Sequence, residues 1–144
     1  MSTRDLHNNI HPLIGIAPVA ARTDDTAIVS TIVDTAGYGS CEFVIITGTN
    51  TDADATFAVT VQDGDNSGLS DAGTVAAAQL IGTTTLASFT FADDAETRKI
   101  GYLGGKRYVR VTVTPTGNGA GNIFIAGVWL LGHPANAPTA NPPV

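Results

Sequence analysis

The chain has little charge, few aromatic rings and almost no cysteine. Of its 144 residues, 14% are charged, 6% are aromatic and only one, Cys41, is a cysteine. A single cysteine allows no intramolecular disulfide, so the fold does not depend on an oxidising compartment. Cys41 lies in the run Cys-Glu-Phe-Val-Ile-Ile, a setting typical of a small buried hydrophobe rather than of a reactive thiol.

Long apolar runs and an excess of positive charge are also missing. No apolar run approaches the ~20 residues that a membrane span needs. Residues 1–9 have no apolar core and predict no signal peptide. We therefore expect a soluble protein that is made in the cytoplasm. The formal net charge of −6 would repel nucleic acid and anionic membranes, so neither is expected as a partner.

The sequence lacks the common catalytic patterns. It contains no Gly-x-Ser-x-Gly elbow, phosphate loop or dinucleotide fingerprint. The three histidines, His7, His11 and His133, lie near the chain ends, away from Cys41. Asp93 and Asp94 are adjacent, and neighbours on a strand point to opposite faces, so they do not form a catalytic carboxylate pair. We predict that the protein is not an enzyme and needs no cofactor.

One acidic segment invites a metal hypothesis. Residues 63–68, Asp-Gly-Asp-Asn-Ser-Gly, begin like a calcium loop, but Thr74 stands where the bidentate glutamate belongs and no helix flanks the segment. Asp and Asn side chains in such a segment also bond their own backbone in polar turns. A turn is therefore favoured over a metal site.

What the chain does contain is a succession of strand patterns separated by turn residues. Short strands at this spacing indicate an all-β fold, a sandwich or a barrel. Helical propensity is confined to residues 71–81, where it could close a turn or two. The predicted strands are Ile28–Val33, Glu42–Gly48, Ala55–Gln62, Leu86–Phe91, Arg98–Tyr102, Tyr108–Thr114 and Ile123–Leu131.

The last two of these strands flank the Gly- and Asn-rich residues 115–122, and this pattern predicts a long terminal β-hairpin within residues 101–134. In it Val109, Val111 and Val113 share one face. By contrast, residues 43–46 and 123–126 are apolar on both faces. An antiparallel strand with one side in water is expected to be apolar on one face only. These runs are therefore central strands, strands covered by another subunit, or a mixture of both.

The two ends differ from the middle. Two X-Pro steps, at residues 11–12 and 17–18, bracket the run Leu-Ile-Gly-Ile and suit an extended arm better than a strand. The Pro-, Ala- and Asn-rich end favours polyproline II or coil. We therefore divide the chain into an extended arm (1–21), a β-sandwich domain (22–134) and a C-terminal tail (135–144).

Several segments together resemble a family of small tailed-bacteriophage virion proteins that decorate or cement the capsid. The resemblance spans most of the chain, and residues 100–111 carry its most specific part. The segments are Val-Asp-Thr-Ala-Gly-Tyr (33–38), Phe-x-Val-x-Val-Gln-Asp-Gly-Asp (57–65), Leu-Ile-Gly (80–82), Ile-Gly-Tyr-Leu-Gly-Gly-Lys-Arg-Tyr-Val-Arg-Val (100–111) and Leu-Leu-Gly-His-Pro (130–134).

The resemblance implies a jelly-roll-like antiparallel β-sandwich, synthesised in the host cytoplasm and displayed on the capsid exterior of the virion. It also implies a homotrimer that binds the major capsid protein and stabilises the head. The arm, the tail and the basic strand residues are then the candidates for partner contact. These candidates are Leu13, Ile14, Ile16, Lys106, Arg107, Arg110, Trp129, His133 and Pro134.

Two other functions remain open on sequence grounds. The chain could be a tail- or fibre-associated module of the virion, which copy number would distinguish from a head protein. It could also be a carbohydrate-binding β-sandwich that stacks a sugar on Tyr102, Tyr108 or Trp129 beside an acidic turn. The low aromatic content favours core and interface roles for these rings.

Overall fold

A computed structural model describes residues 4–144 and contains very little helix. It has one α-helical turn, α1 (Thr84–Ala87), and two 3₁₀ turns, His7–Asn9 and Ala77–Gln79. No helix in this range has the length and apolarity that crossing a membrane requires. The strands are β1 (Ile10–Ile16), β2 (Ile28–Val29), β3 (Val33–Asp34), β4 (Tyr38–Thr47), β5 (Thr56–Gly64), β6 (Gly73–Thr74), β7 (Leu80–Ile81), β8 (Phe89–Thr90), β9 (Thr97–Tyr102), β10 (Tyr108–Thr116) and β11 (Ile125–Pro134).

The strands form two antiparallel sheets. The five-stranded sheet has the order β1-β11-β4-β9-β7. The other sheet has the order β2-β10-β5-β6, with β3 also beside β10 and β8 beside β5. The first long strand therefore lies beside the last, and from β4 onward the long strands β4, β5, β9, β10 and β11 alternate between the two sheets. This is the strand order of a jelly roll, so the predicted all-β antiparallel sandwich is confirmed.

Side-chain alternation in the long strands builds the core between the sheets. Val109, Val111 and Val113 of β10 are fully buried on one face, as the sequence predicts. From the opposite sheet Phe43 and Trp129 pack against each other, with ring centroids 4.6 Å apart and planes inclined at 60°. Apolar side chains thus point inward from both sheets, which is the arrangement that removes most apolar surface from water.

The predicted terminal hairpin is wrong. Strand β10 pairs with β5, β2 and β3, whereas β11 pairs with β4 and β1 in the other sheet. Residues 117–124 cross between the sheets, and this crossover is anchored by the buried Asn118. Its backbone N–H donates to Asp25 Oδ1 at 2.8 Å and its Nδ2 donates to the Arg22 carbonyl at 3.1 Å. The same turn residues suit a hairpin and a crossover, so composition did not separate the two.

The predicted extended arm is also wrong for residues 10–16. This segment is strand β1, and it pairs with β11 in a register that places Leu13 opposite Trp129. Pro12 fits because β1 is an edge strand, where a missing N–H costs no ladder hydrogen bond. The sandwich therefore begins earlier than residue 22.

The C-terminal tail has no regular structure, as predicted, but it folds back on its own chain. The Thr139 N–H donates to the Asn8 carbonyl at 3.0 Å, and the Thr139 hydroxyl donates to the Ile10 carbonyl at 2.5 Å. His11 Nε2 lies 3.2 Å from the Val144 carbonyl oxygen. The tail thus satisfies backbone groups at the start of β1 instead of extending away from the domain.

The predicted strand Leu86–Phe91 is replaced by α1 and the short β8. The Thr83 hydroxyl caps α1 by accepting a hydrogen bond from the Leu86 N–H at 3.0 Å. This cap satisfies one of the free N–H groups at the start of a helix, and it favours a helical turn over the strand. In the predicted helical region, residues 71–81, the helical structure is limited to the 3₁₀ turn at residues 77–79, and the short strands β6 and β7 lie on either side of it.

Two glycines make room for the Phe43 ring. A methyl group at Gly127 would lie 2.4 Å from Cζ of Phe43, and one at Gly15 would lie 2.4 Å from its Cε2. Contacts this short cannot form without displacing the ring. The ring is buried completely, so moving it aside would displace the core side chains around it.

We expect Gly127→Ala to destabilise the protein by about 1–3 kcal/mol, because an added methyl overpacks the core. Gly105→Ala is the matched control, since a methyl there meets nothing within 4 Å. Urea unfolding followed by tryptophan fluorescence measures both. Equal midpoints for the two variants would contradict this packing.

Candidate functional site

The outer surfaces of the two sheets differ in chemistry. The sheet of β5 and β10 presents a threonine face, and strands β1, β11 and β4 of the five-stranded sheet present an apolar face, which Thr97 and Lys99 of β9 border. The outward residues of the threonine face include Thr56, Thr60, Thr112, Thr114 and Thr116. The apolar face comprises Pro12, Ile14, Val44, Ile46, Val128 and Leu130.

Strand register aligns the apolar face into rows. Ile14 lies opposite Val128, and Val128 lies opposite Val44, so three aliphatic side chains cross three strands in one row. Directly opposite side chains have Cβ atoms about 4.5–5.5 Å apart, close enough to form a continuous surface. Ile14 is 60% exposed and Ile46 is 45% exposed. Residues 43–46 thus lie in a central strand, which is one of the predicted alternatives, and Ile46 on its outer side is exposed. Cover by another subunit stays a prediction.

Glu42 is a carboxylate set beside the apolar face. It lies next to Leu130 in the strand register, and on its other side Gly101 leaves room for it. A methyl group at Gly101 would lie 2.7 Å from Glu42 Oε2. Burial raises the pKa of the Glu42 carboxyl, and the nearby Lys99 ammonium opposes this shift. Within residues 4–144, Glu42 makes no hydrogen bond and no ion pair.

A groove of about 530 Å³ lies beside Glu42, at one end of the apolar face. We call it the Glu42 groove. The chain around the first 3₁₀ turn forms one wall, and β4 and β11 form its floor. Its main lining residues are Leu6, Ile10, Leu130 and Pro134, which are apolar, with Ser40, Glu42 and His133.

Of the nine predicted contact residues, three lie at this surface. Ile14 belongs to the apolar face, and His133 and Pro134 line the Glu42 groove. Ser40 Oγ and His133 Nδ1 are 3.0 Å apart, which fixes the imidazole at the rim.

Three other predicted contact residues point into the core. Ile16 and Trp129 are 3% and 1% exposed, and Leu13 packs against the core cluster. The Trp129 indole N–H donates to the Thr31 carbonyl at 3.2 Å. These side chains therefore support the sheet that carries the apolar face.

The three predicted basic residues lie elsewhere and are held within the chain. Lys106 pairs with Asp65. Arg107 makes two 2.8 Å hydrogen bonds to the Asp34 carboxylate, and this guanidinium lowers the pKa of the Asp34 carboxyl. Arg110 Nη2 donates to Gln62 Oε1 at 2.6 Å on the threonine face. The predicted candidates therefore do not form one site.

The residues that sequence reasoning missed are Val44, Ile46, Val128, Leu130 and Glu42. The two-sided apolar pattern at residues 43–46 was the available signal. It could not show that β11 and β1 would extend the same surface, because that depends on the strand order.

The rings offered for sugar stacking do not form a platform. Trp129 is in the core, and Tyr102 is buried with its hydroxyl donating to Asp63 Oδ2 at 2.6 Å. Burial and this hydrogen bond raise the pKa of the Tyr102 phenol. Tyr108 lies apart from both, at the start of β10, where Arg107 Cζ is 5.2 Å from its ring centroid.

Residues 63–68 form a locally bonded turn. Asp71 accepts the backbone N–H groups of Asp65 and Asn66 at 2.8 and 3.1 Å, and Asn66 Oδ1 accepts the Gly68 N–H at 2.9 Å. These bonds hold the pKa of the Asp71 carboxyl below its usual range. In the part of the chain that the structure describes, no three His, Cys, Asp or Glu residues are grouped to hold a metal.

Comparison with known proteins shows a shared fold. No protein-family model and no curated protein matches the sequence. The PBSX exported protein XepA is 14% identical, with a TM-score of 0.51 over 84% of this chain and 36% of that chain. A structure of infectious bursal disease virus, Gx strain, is 10% identical, with a TM-score of 0.51 over 90% of this chain and 33% of that chain.

The SPBc2 prophage-derived protein YomS is 12% identical, with a TM-score of 0.44 over 85% of this chain and 93% of that chain. The chain spans 36% of the length of XepA. At such identities the likeness to XepA and to the viral structure establishes a common β architecture, and function has to be argued from the surface.

The reactivity of the Cys41 thiol reports whether the inner side of the five-stranded sheet is buried. Burial raises the pKa of this thiol to about 12. At pH 8 only about one molecule in ten thousand would then carry the reactive thiolate. We expect Ellman's reagent to leave the native protein unlabelled over many minutes and to label the urea-unfolded protein promptly. Labelling of the native protein at the unfolded rate would contradict this.

Proposed function

We propose that the chain is a structural protein of a tailed-phage virion, which decorates and stabilises the head by binding the outer surface of major capsid subunits. The phage assignment rests on the resemblance of the quoted segments, since the 14% identity to XepA shows fold alone. The observation that carries the docking role is the apolar face, on which Ile14 and Ile46 are exposed and the other four aliphatic residues are partly exposed.

The size of this surface suits a weak contact that is repeated. With a rise of about 3.3 Å per residue and strands about 4.8 Å apart, the three strands that carry the apolar face cover about 330 Å² over the seven residues of β1. Contact would bury about 660 Å² on the two partners together, which is below the size of a stable specific interface and suits a weak contact. The proposal therefore includes a homotrimer, because tethered copies raise the effective concentration for each further contact.

The threonine face fits the other half of the proposal. A sheet whose outer residues are threonines keeps its hydroxyls in water at little cost. If the apolar face docks on the capsid, the threonine face becomes the exterior of the virion. The difference between the two faces thus defines the orientation of the protein on the capsid.

The test is binding to expanded, undecorated heads. We expect Ile14→Lys and Ile46→Lys to weaken binding at least about tenfold, because each places a charge in the desolvated contact. Thr60→Lys on the threonine face is the matched control and should bind like the wild type. Circular dichroism verifies that all three variants fold. Co-sedimentation at increasing protein concentration gives affinity and copy number.

Two results would contradict the proposal. One is the absence of saturable binding by the wild type at stoichiometric copy number. The other is an equal loss of binding in Thr60→Lys and in the two apolar-face variants, which would remove the apolar face as the docking surface.

A further inference from the structure

The Glu42 groove combines apolar walls with a carboxylate, Glu42, that forms no ion pair with the described residues. No lysine or arginine is among its lining residues. Asp5, the other carboxylate at the groove, is engaged with Asn8, whose backbone N–H and Nδ2 donate to it at 3.0 and 2.8 Å. Glu42 has no such partner among residues 4–144, so it is the acidic group that remains available.

We propose that the Glu42 groove receives an apolar side chain with a neighbouring lysine or arginine from a major capsid subunit, and that Glu42 is the counter-ion of this cation. This inference rests on the proposed function for the source of the segment. The chemistry of the segment, a hydrophobe beside a cation, follows from the groove itself.

Charge complementarity is the first argument. A carboxylate that is half-buried loses part of its hydration, and it regains favourable interaction when a cation approaches. A charge-assisted hydrogen bond to lysine or arginine is the strongest interaction such a group can make in a protein contact. A capsid segment with an acidic residue here would instead be repelled, which gives the contact specificity.

The chain's own cations do not meet this need. Lys106 and Arg107 pair with Asp65 and Asp34 on another part of the surface. Lys99 lies on the neighbouring strand β9, opposite Val44 and diagonal to Glu42, and it acts on Glu42 electrostatically without forming an ion pair. In this proposal the cation that pairs directly with Glu42 is supplied by the partner.

The shape of the groove is the second argument. Its volume of about 530 Å³ lies within the range of small-molecule and peptide side-chain sites. Leu6, Ile10 and Leu130 provide apolar contact, and Leu6 is 65% exposed without a partner. An aliphatic side chain would cover Leu6 and, by excluding water, strengthen the neighbouring ion pair.

Small probes test the groove without any phage head. Three ligands share one alkyl chain and differ in charge: n-hexylammonium, 1-hexanol and hexanoate. Each is titrated at pH 8 into the full-length ¹⁵N-labelled protein and followed by amide chemical shifts. We expect shifts at Leu130, Ser40 and Ile10, with hexylammonium binding about fivefold tighter than hexanol and hexanoate weakest.

Variants assign the effect to Glu42. Glu42→Gln keeps the shape of the side chain and should reduce hexylammonium binding to the level of hexanol. Lys99→Gln should strengthen hexylammonium binding, because it removes a nearby positive charge. Glu96→Gln is the control, since Glu96 is an exposed carboxylate that pairs with Arg98 outside the groove.

Equal binding of the three probes, shifts elsewhere on the protein, or a cation preference that survives in Glu42→Gln would overturn the groove's assignment. Measuring the binding of the variants to undecorated heads distinguishes a failure of this inference from a failure of the proposed function. Wild-type binding that Glu42→Gln leaves unchanged overturns the inference alone. Probe binding as expected without any head binding overturns the proposed function and leaves the groove as a site for another basic, apolar segment.

Discussion

The packing of the Phe43 ring against Trp129, over Gly15 and Gly127, is the constraint on which the five-stranded sheet depends. The two rings contact each other in the core between the sheets, and the two glycines let β1 and β11 pass close to Phe43. Because side chains alternate along a strand, fixing Phe43 inward fixes Val44 outward. The register of the whole sheet, and so the composition of its outer surface, follows from this contact.

That outer surface is unusual because it repeats the chemistry of the core. In an antiparallel sheet with one solvated side, outward positions are polar, and the threonine face obeys this rule. The apolar face does not obey it. Since burial of aliphatic surface is worth about 25 cal/mol per Å², a sheet that leaves such surface in water forgoes stability that a partner can recover. A docking role explains the difference between the two faces without any catalytic group.

The sequence predicts the strands well and their partners poorly. Alternation identified the inward valines of β10 because it is a local property. The hairpin prediction failed because the residues before Ile123 suit either a turn within one sheet or a crossover between two, and only the packing of the whole domain decides. Pro12 suggested an extended arm. Proline is equally compatible with an edge strand such as β1, so it does not distinguish the two. The Glu42 groove could not be predicted, since it joins residues from both ends of the chain to the middle of β4.

Orientation on the capsid is the central claim, and a cryo-EM map of decorated heads at side-chain resolution tests it most directly. The account predicts that Val44, Ile46 and Val128 lie against the major capsid subunit while the threonine face points to solvent. A map in which the threonine face or the β9–β10 loop contacts the capsid, with the apolar face left in water, would contradict it.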